Sequence, residues 1–225
     1  MTTISTSPLS CASDEVAARL AAVRLRIERA GGDPGHVRIL AVTKGFGADA
    51  VAAARQAGLT DLGENYAAEL REKAPGPEGT RWHFLGAVQR NKVPLLAPLV
   101  DVWQGVARLA EGVRIARFAP GATVMVQVDC ADQAGRNGCE PGDVPALVSG
   151  LRGLDLQVVG LMTVAPQGDG AASAFALVAR LADSLNLPER SMGMTDDLES
   201  AVAAGTTMVR VGRALFGDRP PRDTG

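Results

Sequence analysis

The chain has 225 residues, of which 46% are apolar and 21% charged; these ordinary globular proportions exclude disordered, collagen-like and disulfide-scaffold classes. Twenty-three Lys and Arg against 25 Asp and Glu leave a formal charge of -2, so no net field draws the chain to nucleic acid or anionic lipid, and neither is an expected partner. Three cysteines without paired spacing, Cys11, Cys130 and Cys139, read as reduced thiols and point to a cytoplasmic protein. The first 18 residues carry no Lys or Arg and no apolar run, so export is not expected. The most apolar stretches, such as 93–100 with its two prolines, are too short to cross a bilayer.

After a polar leader over 1–12, Val16, Leu20, Val23 and Ile27 recur at helical spacing behind Ser13, a candidate N-cap, and the pattern stops at Gly31 and Gly32. Residues 37–43 (VRILAVT) form a short apolar run ending at Lys44, the pattern of a strand buried on both faces. A helix over 48–57 follows. The alternation repeats: strands at 61–65, 82–86 and 102–106 are chased by helices at 66–73, 89–96 and 107–118. Strands at 123–128 and 156–164 are then followed by helices at 144–151 and 171–185. A seventh strand at 190–194 precedes a helix at 197–204, with Asp196 and Glu199 spaced like a capping box, and 208–211 is the eighth strand.

Eight strand-then-helix units at about this length predict a single (β/α)8 TIM barrel with an extra N-terminal helix, spanning 13–219 and followed by a short tail over 220–225. The Pro/Gly-rich pieces 75–79 and 166–170 are loop-sized. In this architecture chemistry sits where the strands end. The polar residues there are Lys44, Glu64 with Asn65 and Tyr66, His83, Asp129, Thr163, the run 191–195 and Arg210. Lys44 follows an apolar strand, where burial would lower its proton affinity and expose a nucleophilic amine suited to a Schiff base; position alone equally allows a lysine that caps the strand and points to water. Ser191, Gly193 and Thr195 after the seventh strand, and Gly212 and Arg213 after the eighth, occupy the loops where barrels build phosphate sites. Two ordinary tight turns would give the same pattern. Asn65 and His83 read as lining groups. The arginines 19, 24, 26 and 29 read as the solvated face of the first helix.

Six blocks in order resemble one known family: AVTK (41–44), GENY (63–66), WHFLGAVQRNK (82–92), VGLM (159–162), SMGMTDDLESAVAAG (191–205) and VRVGRALFG (209–217). The chain is similar to the pyridoxal phosphate homeostasis proteins, relatives of the N-terminal domain of alanine racemase. The resemblance implies a protein that holds pyridoxal 5′-phosphate (PLP) on Lys44 as a Schiff base. Asn65 and His83 would line the site, Ser191, Gly193, Thr195, Gly212 and Arg213 would surround the phosphate, and Arg210 would face the pyridine nitrogen. It implies a monomer that buffers PLP and passes it to PLP-dependent apoenzymes, without strong catalysis of its own. A two-base racemase would need a second proton acceptor, and the chain's one tyrosine is Tyr66. The alternatives are a PLP-dependent amino-acid racemase, or an aldolase whose Lys44 reacts directly with a sugar phosphate. Three positions depart from the family's pattern: Arg213 stands where threonine is usual, 102–106 (VWQGV) replaces a more polar strand end, and Arg136 stands where lysine is common.

Overall fold

The computed structural model describes residues 8–74, 77–131, 137–166, 168 and 170–219. The leader before Pro8, Arg136, the tail 220–225 and parts of both Pro/Gly-rich pieces lie outside the described residues. In chain order the elements are α1 (Pro8–Arg29), β1 (Arg38–Val42), α2 (Ala48–Gln56), β2 (Asp61–Glu64), α3 (Ala67–Lys73), β3 (Arg81–Phe84), α4 (Val93–Leu96), β4 (Val102–Val106) and α5 (Leu109–Phe118). They continue as β5 (Thr123–Val128), a 3-10 turn (Pro141–Asp143), α6 (Val144–Arg152), β6 (Gln157–Thr163), α7 (Gly170–Ser184), β7 (Glu189–Ser191), α8 (Leu198–Ala203), β8 (Met208–Val211) and α9 (Arg213–Phe216). The strands pair in parallel in the order β1 to β8, and β8 returns to β1, giving the closed barrel the sequence predicts.

Side chains alternate across each strand. Ile39, Ala41, Leu62, Trp82, Phe84, Trp103, Val209 and Val211 point outward into the main core under the helices. Leu40, Val42, Leu85 and Met208 form a second apolar cluster inside the barrel. Because both faces are covered, β4 is buried at every position, and its hydrophobicity shows no period. The largest stabilising contribution lies in the outer layer, where Phe175 of α7 and Trp103 of β4 are fully buried; truncating either to alanine removes about 3–5 kcal/mol.

Several boundaries differ from the sequence expectation for local reasons. Helix α1 begins at Pro8, so Ser13 lies inside it rather than capping it. Helix α4 is confined to Val93–Leu96, because Pro94 lacks an N–H and fits only a first helical turn. Strand β7 stops at Ser191, since Gly193 has φ +90° and turns the chain out of the extended region. The capping box expected of Asp196 and Glu199 does not form. Asp196 pairs with Arg213 and Glu199 with Arg26, while the Met194 N–H donates to Asp197 Oδ1 at 2.5 Å.

The arginines of α1 are not all a solvated face. The helix buries Val16, Leu20, Val23 and Ile27 and packs on α2, α8 and α9. On its flank Arg19 Nη1 donates to the Leu215 carbonyl at 3.2 Å, and Arg26 Nη2 donates to the Thr195 carbonyl at 2.8 Å. The added helix therefore braces the loops that follow β7 and β8. No described helix is long and apolar enough to cross a membrane.

Candidate functional site

The strand ends surround a cavity of about 240 Å³ at the C-terminal mouth of the barrel, the position that a parallel barrel reserves for ligands. Lys44, Asn65, Thr195, Arg210, Gly212 and Arg213, all expected from the sequence, line it. Val42, Leu85 and Met162 supply apolar walls, and Arg219 reaches in from beyond α9.

Lys44 is half-buried, and burial first, then the charges of Arg219 and Arg210, lowers its proton affinity below the ordinary lysine value; Glu64 and Glu69 oppose the shift. The backbone on both sides of it is clamped. Lys73 Nζ donates to the Thr43 carbonyl at 2.8 Å, to Glu64 Oε1 at 2.6 Å and to Glu69 Oε2 at 2.8 Å. Glu69 Oε2 in turn accepts the Gly45 N–H at 2.7 Å, and the Thr43 hydroxyl donates to Glu64 Oε1 at 2.7 Å. Burial pushes the Glu64 carboxyl upward, against the opposing effect of its Lys73 and Thr43 hydrogen bonds. Gly45 has φ +76°, and a Cβ there would lie 2.9 Å from Arg219 Cδ, so glycine is needed both for the turn and for the arginine that lies over it.

Arg210 is buried in the wall. Its Nη1 donates to the Ser191 carbonyl at 2.5 Å and to Ser191 Oγ at 2.9 Å, and its Nη2 donates to the Thr163 carbonyl at 2.6 Å. Burial pushes its guanidinium down to about 10, which still leaves it charged near neutral pH. Ser191 and Gly193 do not line the cavity but support it from beneath: Ser191 Oγ donates to Gln104 Oε1 at 2.7 Å, and a Cβ on Gly193 would meet Ala201 Cβ at 2.5 Å. Arg213 is exposed and pairs with Asp196 at 2.5 Å, so its side chain is already engaged at the rim.

The structure does not bring His83 to the mouth. It is buried inside the barrel with Nε2 against Asp61 Oδ1 at 2.7 Å and Nδ1 against Gln104 Nε2 at 2.8 Å. It lines a small cavity at the opposite end with Arg38, Arg81 and Glu189, which stand at the starts of their strands. A histidine on an inward strand position can serve either end, and only its depth decides which. Tyr66 is 48% exposed and lines a neighbouring rim cavity with Gln89 and Lys92 rather than the one holding Lys44. No cluster of metal-ligating side chains occurs among the described residues.

Sequence reasoning missed Glu69, Lys73, Gln104, Arg26 and Arg219. The Glu69–Lys73 spacing is a common exposed helical pair, and nothing in the pattern of α3 announces that Lys73 turns inward. Gln104 did carry a signal, as the one polar side chain in an otherwise apolar strand.

The residues fit an aromatic aldehyde bearing a phosphate. They offer an amine of lowered proton affinity, apolar walls and a fixed guanidinium, and Asn65 Oδ1 is buried with no hydrogen-bond partner. The sequence profile of the alanine racemase N-terminal domain matches residues 14–220. A pyridoxal phosphate homeostasis protein of Deinococcus radiodurans is 41% identical over 210 residues, covering 89% of this chain and 99% of that protein. Another, of Pseudomonas aeruginosa, is 37% identical over 225 residues, covering 94% and 97%. PipY of Synechococcus elongatus, solved with PLP bound, is 33% identical with a TM-score of 0.77, covering 90% of this chain and 100% of PipY. Matched along nearly its whole length by that profile and by these proteins, the chain belongs to the pyridoxal phosphate homeostasis family, within the alanine racemase N-terminal domain group.

Proposed function

We propose that this chain binds PLP in the strand-end cavity, holds it on Lys44 as a Schiff base, and serves as a reversible store that supplies PLP-dependent apoenzymes. The observation that carries the reading is Lys44 itself, half-buried in a cavity with Arg210 and Asn65, with its ammonium form disfavoured by burial. PipY, solved with PLP bound, supports it.

When bound, PLP supplies an aldehyde that condenses with an amine and releases one water. The chain's own residues determine the rest. Lys73 and Glu69 fix the peptides flanking Lys44, so the amine presents from a rigid strand end. Val42, Leu85 and Met162 are the apolar walls that would shield a bound ring from water. Arg210 donates hydrogen bonds but holds its own protons, so it can face a pyridine nitrogen without protonating it, and a neutral ring is a weak electron sink. A site of that kind favours holding over turnover.

Thr195, Gly212 and Arg213 line the cavity and would hold the phosphate, with the Arg213 side chain engaged by Asp196. Tyr66, the chain's one tyrosine, does not line the Lys44 cavity. This favours storage over a two-base proton exchange. The same reading takes the chain to act as a monomer in the cytoplasm.

Titrating the chain with PLP and following its absorbance tests the reading. Saturable uptake in the unsubstituted chain, lost in Lys44→Ala, is the expected result. Equal uptake by both would overturn the assignment of Lys44. Exchange of an amino acid's α-proton with heavy water, abolished by Tyr66→Phe, would replace storage by racemisation.

A further inference from the structure

A single file of hydrogen bonds runs through the barrel from the end opposite the mouth to the wall of the cavity. Arg210 Nη1 donates to Ser191 Oγ at 2.9 Å, Ser191 Oγ donates to Gln104 Oε1 at 2.7 Å, Gln104 Nε2 faces His83 Nδ1 at 2.8 Å, and His83 Nε2 faces Asp61 Oδ1 at 2.7 Å. The donor inventory fixes the direction of every link. Arginine only donates, so the Ser191 oxygen accepts from it, and Gln104 Oε1 only accepts, so the Ser191 proton goes there. The same Gln104 amide nitrogen donates to the Met208 thioether at 3.3 Å, and a thioether only accepts, which orients the amide independently. Gln104 therefore donates to His83 Nδ1, and His83 carries its proton on Nε2 and donates it to the Asp61 carboxylate. Burial also disfavours the doubly protonated ring, against the pull of Asp61.

We propose that Gln104 is a positioning residue: oriented by a neutral His83 that Asp61 holds at the end opposite the mouth, it holds the Ser191 hydroxyl so that Arg210 is fixed in the wall of the PLP cavity. This rests on the reading that the cavity takes PLP. Gln104, Ser191 and His83 are all buried, so no water can replace a missing partner without being drawn into the barrel. The arrangement also accounts for a buried histidine and a buried glutamine inside the barrel.

The direction of the file makes two substitutions at one position behave differently. Gln104→Met removes the acceptor for Ser191 and the donor to His83 together. Gln104→Glu restores the acceptor but cannot donate, so His83, flanked by two carboxylates, should take a second proton. The test combines imidazole nitrogen NMR on 15N-labelled protein with PLP titration of the same samples. The chain has two histidines, and His36→Asn assigns the other. Expected in the unsubstituted chain is a neutral His83 protonated on Nε2. Gln104→Met should weaken PLP binding about tenfold, and Gln104→Glu should recover most of that loss while showing a doubly protonated His83.

A proton on Nδ1 in the unsubstituted chain, or equal PLP affinities for the Met and Glu variants, would overturn the proposal. If the unsubstituted chain takes up no PLP, the functional reading fails instead, and the imidazole spectrum still decides the polarity of the file.

Discussion

Lys73 donates from Nζ to the carbonyl oxygen of Thr43 at 2.8 Å, tying the start of the loop that carries Lys44 to a helix thirty residues later in the chain. The same ammonium meets the carboxylates of Glu64 and Glu69, and its side chain is 3% exposed. A buried ion pair of this kind adds little over an apolar replacement of both partners, but losing one partner strands a charge. Lys73→Met should therefore destabilise the fold by about 3–5 kcal/mol, and Lys73→Met with Glu64→Gln should recover part of it. Urea denaturation of the single and double variants checks both statements.

The lowered proton affinity of Lys44 predicts how PLP uptake varies with pH. Burial, then Arg219 and Arg210, disfavours the ammonium, so the reactive neutral amine is populated below the ordinary lysine value of 10.5. The rate of uptake should rise with pH through a midpoint below that value. Arg219→Gln removes one of the positive charges and should move the midpoint upward. Stopped-flow absorbance across a pH series measures it, and an unshifted midpoint in Arg219→Gln would contradict the electrostatic account.

Gly193→Ala should be among the most damaging single-methyl additions. The position has φ +90° and a Cβ would come within 2.5 Å of Ala201 Cβ, combining left-handed strain with overpacking against α8. A loss of about 2–4 kcal/mol is expected, together with weakened PLP binding because Met194 and Thr195 follow directly. Thermal melting and PLP titration report the two effects separately.

Arg26→Ala separates stability from binding. Its pair with Glu199 at 2.7 Å is partly exposed, so the fold should lose no more than about 1 kcal/mol. Its hydrogen bond to the Thr195 carbonyl at 2.8 Å braces the loop after β7, and PLP affinity should fall about three- to tenfold. Unchanged affinity would show that the loop holds its shape without α1.

The eight-unit alternation was legible because a strand covered on both faces leaves a short unbroken apolar run, and 102–106, 123–128 and 208–211 coincide with β4, β5 and β8. Lys44, Asn65, Thr195, Gly212 and Arg213 were legible by place, each following a strand, and Arg210 as the charged residue near the end of the last one. Depth inside the barrel was not: His83 sits on an inward position like Leu85 two residues later, yet serves the other end. The contacts of charged helix residues were equally hidden: Arg26 read as part of a solvated face, and nothing in the pattern of α3 marks Lys73 as buried. The contacts that fix Lys44 and Thr195 are long-range in sequence, and no local pattern encodes them.

On the proposed function Lys44 carries PLP covalently. Borohydride reduction of the PLP-loaded chain, followed by intact mass and peptide mapping, tests it most directly. Expected are loss of the near-visible absorbance band and gain of one phosphopyridoxyl group on Lys44, with neither the band nor the adduct in Lys44→Ala. A loaded chain that survives reduction without added mass, or carries the adduct on another lysine, would contradict it.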